Sequence, residues 1–209
     1  MKALILPFLF LFFSCNSTPT KLPILGDKTP IQKMVNGKMV VDTLYKTIPP
    51  FRYLDQDSIY FSNANTRGKI YVADFFFTSC PTICPIMQKN LSHLVDAFKA
   101  DSGIYFLSYS IDPIHDTPKR LKRYSAQLGQ SHAHWYFLTG NRDSTYSLAE
   151  KGYYVTAKSD TTAPGGFVHS GAFILVDKKG RIRGTYDGTV DEDVNHLNQD
   201  LITLKNEKD

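Results

Sequence analysis

The 209-residue sequence is poor in cysteine, with three, and has a single tryptophan. An odd cysteine count this low excludes a small scaffold held together by disulfides. Charge of one sign is also scarce: 24 Lys and Arg against 20 Asp and Glu leave a net +4, or +3 once residues 1–14 are set aside. So mild a surplus, scattered along the chain, argues against nucleic-acid binding. Long apolar runs are lacking too. The stretch from Ala3 to Phe13 is about half of the roughly 20 residues a membrane-spanning helix needs. No internal repeat or low-complexity block is present. What is there, 42% hydrophobic residues in a chain of this length, suits one domain with a sizeable core and some extra sequence at one end.

The N-terminal segment carries its own message. Lys2, the apolar run and then Ser14-Cys15-Asn16 read as an export signal, and a small residue directly before a cysteine resembles a bacterial lipobox. On that reading Cys15 is lipidated and becomes the mature N-terminus. The competing reading is a soluble secreted protein whose signal happens to contain a cysteine. Lipidation also accounts for the odd cysteine, since it leaves Cys80 and Cys84 as the only thiols. Residues 16–33 are rich in Thr, Pro and Lys without apolar periodicity, as a tether would be. The expected organisation is therefore a lipoprotein signal peptide over 1–14, a tether over 15–37 and a folded domain over 38–209. The domain is expected in the cell envelope, lipid-anchored on the extracytoplasmic (periplasmic) side.

Within the domain, residues 38–48 and 51–61 alternate apolar and polar side chains and are predicted to form an N-terminal hairpin, broken by Pro49-Pro50. Residues 69–78, with the run IYVADFFF, read as a strand buried on both faces. Apolar residues at three- and four-residue spacing predict a helix over 85–100. A second buried strand follows at 104–111, a helix at 118–128 and a third, shorter strand at 135–139. A short helix near 144–151 and a polar loop over 158–166 come next. Strands over 169–176 and 181–186, joined by Asp177-Lys178-Lys179-Gly180, form a hairpin, and a helix over 191–205 closes the chain. This order implies an α/β fold with a mixed sheet flanked by helices.

Cys80 and Cys84 stand four residues apart between a buried strand and a helix that Pro85 begins. Unpaired backbone N–H groups and the helix dipole favour a thiolate there. If the segment approximates one helical turn, the two sulfurs converge on one face. Such a pair serves either redox exchange or metal binding. Two soft thiolates suit Cu(I), and an added imidazole makes a site for Cu(II) as well. Zinc normally wants four ligands, more than these two sulfurs supply. A structural disulfide is the plain alternative, although a bridge closing so small a loop removes little chain entropy.

Residues 74–85, DFFFTSCPTICP, resemble the copper-site motif of the Sco/SenC family of cytochrome c oxidase assembly factors. Residues 110–118, SIDPIHDTP, resemble its second signature, and Val168-His169-Ser170 lies where the family carries a ligand histidine. The resemblance covers the chain from about residue 45 onward. It implies a thioredoxin-like fold with an N-terminal β-hairpin extension, and copper, Cu(I) or Cu(II), held by Cys80, Cys84 and His169. It also implies delivery of copper to, or reduction of cysteines in, the dinuclear copper centre of cytochrome c oxidase subunit II, or service to another copper or thiol protein.

Asp112 and Asp116 are expected to support the loop beside the site, with Asp116 or Thr117 capping the helix begun by Pro118. His132 and His134 could face one way ahead of a strand, but surface histidines are the plainer reading. His93 and His196 are expected on exposed helix faces. The principal competing function is that of an extracytoplasmic thiol–disulfide oxidoreductase using Cys80 and Cys84 as a redox-active pair. Its usual motif is C-x-x-C, with a proline just before the facing strand. This chain has C-x-x-x-C and Val168-His169 in that region. A peroxide-reducing relative is disfavoured, because Thr78 precedes Cys80 by only two positions and no T-x-x-C motif results.

Overall fold

The computed structural model describes residues 21–129 and 134–207. The signal segment, Cys15 and His132 therefore lie outside the described residues. Two hairpins come first: β1 (Lys28–Val35) with β2 (Lys38–Tyr45), and β3 (Arg52–Leu54) with β4 (Tyr60–Ser62). A four-residue helix α1 (Asn63–Thr66) leads to β5 (Ile70–Phe76), α2 (Cys84–Phe98), β6 (Ile104–Ser110), α3 (Pro118–Gln127) and β7 (Trp135–Leu138). Then come α4 (Arg142–Ser147), continued by a π turn over Leu148–Gly152, and the short strands β8 (Ala157–Ser159) and β9 (Phe167–His169). The chain ends with β10 (Ala172–Val176), β11 (Ile182–Asp187) and α5 (Asp191–Asn206).

The central sheet has the order β11-β10-β5-β6-β7. Strands β5, β6 and β7 are parallel, while β10 runs antiparallel to β5 and β11 antiparallel to β10. All seven residues of β5 are buried, as an apolar run interrupted only by Asp74 requires of a strand covered on both faces. Alternation along β5 separates the two layers. Asp74 reaches Gln88 of α2, and Phe76 stacks near Tyr124 of α3. On the opposite face Tyr71 and Phe75 meet Tyr153, just beyond the π turn. The predicted thioredoxin-like mixed sheet with flanking helices and an N-terminal hairpin is the architecture found.

Three local expectations are corrected. Residues 38–48 and 51–61 do not pair with each other. Instead β2 pairs with β1, inside the stretch assigned to a tether, because Asn36 and Gly37 both adopt positive φ (50° and 76°), the geometry of a tight type I′ turn. Residues 51–61 form their own hairpin, joined to the sheet by paired backbone hydrogen bonds of 2.9 Å between Leu54 and Thr139. The expected strand over 169–176 is two strands. It breaks at Ser170-Gly171, where Ser170 turns its N–H to Thr156 and Gly171 offers its carbonyl to Gly188. His169 thus belongs to a small ribbon, β8 with β9, outside the main sheet.

Candidate metal centre

Strand β5 ends beside β6 and delivers the chain into the loop that carries Cys80. That loop is bent rather than helical up to Ile83, and α2 begins at Cys84. The expected helical turn from Cys80 does not form, because Cys80 directly precedes Pro81, whose ring disfavours helical backbone at the residue before it. The Cys80 N–H instead donates to the Phe77 carbonyl at 3.2 Å. The sulfurs converge all the same, and both cysteines are free.

The ribbon brings in the third group. His169 pairs across to Ala157, and the ribbon's tip leans on the cysteine loop through Phe167, whose ring centroid lies 5.0 Å from that of Phe77. Gly165, at φ +78°, sits so close that an added Cβ would lie 2.9 Å from the Phe77 ring and 3.2 Å from Pro81. The imidazole stands edge-on to Phe77, with centroids 5.8 Å apart. Its Nδ1 donates to the Ser170 carbonyl at 3.1 Å. A carbonyl only accepts, so the proton belongs on Nδ1 and Nε2 presents a lone pair. That nitrogen lies 3.1 Å from Cys84 Sγ and 3.9 Å from Cys80 Sγ. The ligand atoms of Cys80, Cys84 and His169 all lie within 4.8 Å of one another.

The two thiols are unequal. The neighbouring Cys84 thiol draws the Cys80 thiol well below its ordinary value, against the upward push of burial. Cys84, beside Cys80 and almost wholly buried, is pushed up. Cys80 is the readier of the two to ionise. Beneath the pair lies Asp74, fully buried, accepting from Ser108 and, at 2.7 Å, from Gln88. Burial pushes its carboxyl up to about 6, against those two hydrogen bonds. Trp135 Nε1 donates to Ser108 at 2.9 Å and completes the chain of donors. Asp74 was not singled out from the sequence. Its signal was an acid inside an otherwise apolar strand, an arrangement that needs internal partners.

Asp116 is fully buried and points inward. It accepts from the Thr78 N–H at 3.0 Å, the Thr78 hydroxyl and, at 2.7 Å, the Ser110 hydroxyl, so it ties the second motif to the base of the cysteine loop. Thr117, not Asp116, caps α3. Asp112 is buried and accepts from His115 at 2.7 Å. His134 stacks on Tyr105 with centroids 5.2 Å apart, and His93 and His196 are exposed on their helices. Among the described residues, Cys80, Cys84 and His169 are the one group of three or more metal-binding side chains within coordinating reach of one another. Two sulfurs and an oriented imidazole form a donor set suited to a soft or borderline ion.

The SCO1/SenC family model matches residues 42–204, which include every one of these side chains. The chain belongs to the SCO1/SenC family. A curated SCO1/SenC relative, the SCO1 protein homolog of Bacillus subtilis (strain 168), is 33% identical over 157 residues, covering 73% of this chain and 79% of that one. The crystal structure of a SCO1/SenC family lipoprotein from Bacillus anthracis superposes with a TM-score of 0.70 at 27% identity, over 76% of this chain and 95% of that chain. Yeast Sco1 with copper bound superposes with a TM-score of 0.60 at 26% identity, over 78% of this chain and 90% of that one. In the SCO1/SenC chain described here, β1, the whole segment before it and the first half of β2 fall outside the matched span.

Proposed function

We propose that the protein is an extracytoplasmic copper carrier that takes one copper ion as cargo through Cys80, Cys84 and His169. The observation that carries this reading is the convergence of the two sulfurs on an imidazole whose second nitrogen is committed to a backbone carbonyl. Such an outer hydrogen bond fixes the ring and raises its basicity toward a metal. Two thiolates satisfy Cu(I), and the imidazole extends the set to Cu(II). Three protein ligands leave room for a ligand of an acceptor to enter as one of these leaves. That suits cargo better than a resident structural ion. The copper-bound yeast relative supports the choice of metal. The acceptor we infer is the dinuclear copper centre of cytochrome c oxidase subunit II, or another copper or thiol protein. The lipoprotein relative supports a lipid anchor, which we place at Cys15 after the export signal, and we infer that the domain lies on the extracytoplasmic side. Asp112 and Asp116 act as supports of the loop.

The test is copper titration of the reduced chain, wild type beside Cys84→Ser and His169→Ala. The expected result is one copper per chain, retention of Cu(I) but loss of Cu(II) in His169→Ala, and loss of both in Cys84→Ser. Reduced wild type that takes up no copper rules the carrier out.

A second reading is favoured by the lowered Cys80 thiol and its greater access relative to Cys84. In it, the Cys80 thiolate attacks a target disulfide and expels one target thiolate. Cys84 then gives up its proton and attacks Cys80 Sγ, releasing the second target thiolate. Two electrons pass to the target, and a Cys80–Cys84 disulfide remains. A strongly reducing pair with weak copper binding would select this reading.

A further inference from the structure

The β1–β2 hairpin is a separate two-stranded sheet, and nearly all of its residues are exposed. None of its apolar side chains joins the core or packs against it. An isolated two-stranded ribbon is marginal in water, and this one carries large apolar groups near its tip. Met34 and Met39 are cross-strand partners on one face, 64% and 59% exposed. Val35 and Val40 lie on the other face, 41% and 38% exposed. The tip is thus apolar on both sides. A protein partner covers one face of a ribbon, whereas a lipid layer surrounds a tip.

We propose that this tip seats in the headgroup layer of the membrane that holds the chain, resting as it does on the lipid anchor at Cys15 proposed above. Only residues 16–20 separate Cys15 from Lys21, where the chain is already fixed to the domain. Lys21 pairs with Glu207, and Arg183 holds the Leu22 and Pro23 carbonyls. Six residue steps reach about 20 Å at full extension, so the domain stays close to the surface. A ribbon of eight-residue strands is about 25 Å long, enough to span that gap. Lys33 is ion-paired with Asp42 and Lys28 lies at the base of the ribbon, so Lys38, beside the turn, is the charge that favours an anionic surface. Lys38 is paired with Val35 next to the turn, and its ammonium can extend toward phosphates while its stem lies along the apolar tip. The seat is shallow, because the ribbon's two open edges carry backbone groups that hydrocarbon cannot satisfy.

The test uses the full chain with Met39→Trp, mixed with vesicles of phosphatidylethanolamine and phosphatidylglycerol carrying brominated acyl chains. The native Trp135 is buried in the sheet and serves as an unquenched background. Emission of the introduced indole should fall roughly by half, the effect of placement at the headgroup and acyl boundary. Adding Val40→Asp should abolish the quenching while the protein still floats with the vesicles. An unquenched indole on vesicle-bound, acylated protein overturns the hairpin proposal and leaves the anchor standing. Intact mass showing Cys15 unmodified refutes the anchor separately, and quenching on the same vesicles still decides the hairpin. A blue-shifted indole that bromine does not reach, in a protein that sediments as a dimer, assigns the tip to a second copy and also overturns the proposal.

Discussion

Asp116 holds Thr78 at two points, accepting its backbone N–H at 3.0 Å and its side-chain hydroxyl. The Ser110 hydroxyl and the Arg120 guanidinium, 3.5 Å away, complete the carboxylate's partners. Thr78 lies two residues before Cys80, so the stretch between β6 and α3 sets where the cysteine loop begins. Asp116→Ala strands several buried donors at once and should cost about 3 kcal/mol, the price of a few hydrogen bonds to a charged group. Equilibrium urea denaturation measures that loss. Copper affinity should fall about tenfold, as it does when an outer support of a metal ligand is removed.

Cys80 and Cys84 should differ in chemical reactivity. Cys80 is the more accessible of the two, and the neighbouring Cys84 thiol draws the Cys80 thiol down. Iodoacetamide at neutral pH should modify Cys80 first and leave Cys84 largely intact, as peptide mass mapping will show. Cys84→Ala removes that neighbour, so the pH midpoint for Cys80 alkylation should rise. An unchanged midpoint means that Cys84 does not set the state of Cys80.

Gly165 controls how closely the ribbon approaches the cysteine loop. Gly165→Ala forces a Cβ against Phe77 in a left-handed backbone conformation, at a conformational cost of about 1–2 kcal/mol before any crowding. Gly166 has a similar φ of +84° but open space around it. Gly166→Ala should lose only the conformational part of that stability in thermal melts and Gly165→Ala more, and only Gly165→Ala should weaken Cu(II) binding through displacement of His169. Equal copper affinity in the two variants would separate the ribbon's position from the site.

The central sheet was legible because β5 and β6 are predominantly apolar, β-branched and aromatic runs that each follow a glycine closely. The cysteine pair was legible from its place between such a strand and a proline-started helix. His169 was harder to read. Continuous apolarity from Ala172 onward extended the expected strand back across Ser170-Gly171, and nothing local shows that a glycine there bends the chain into a different ribbon. The first hairpin was misassigned for the opposite reason: Asn36-Gly37 is a strong turn signal, but the flanking lysines and threonines masked the strands. Support of the loop by Asp116 was expected, but its partner Thr78 and the Gln88 partner of Asp74 were not legible, since they lie 38 and 14 residues away and local pattern carries no such pairings.

Asp74 gives the metal-free protein a pH dependence of unusual sign. Its carboxyl is raised by burial to about 6 from an ordinary 3.8. Between these values the folded chain binds more protons than the unfolded one, so stability falls as pH rises through the window. Acidification from pH 7 to about 4 should therefore stabilise this site, by an amount of order 3 kcal/mol for a shift of about two units. The neighbouring amide is suited to the protonated form. Gln88 now donates from Nε2 to the carboxylate and leaves its own Oε1 without a partner. Once Asp74 carries a proton, a reversed Gln88 amide can accept it and satisfy that oxygen. Asp74→Asn offers the same donor permanently, so the variant should fold and its urea midpoint should be flat between pH 4 and 7, where the wild type slopes downward with rising pH. A wild-type midpoint that instead climbs steadily over this range would show that Asp74 is ionised throughout.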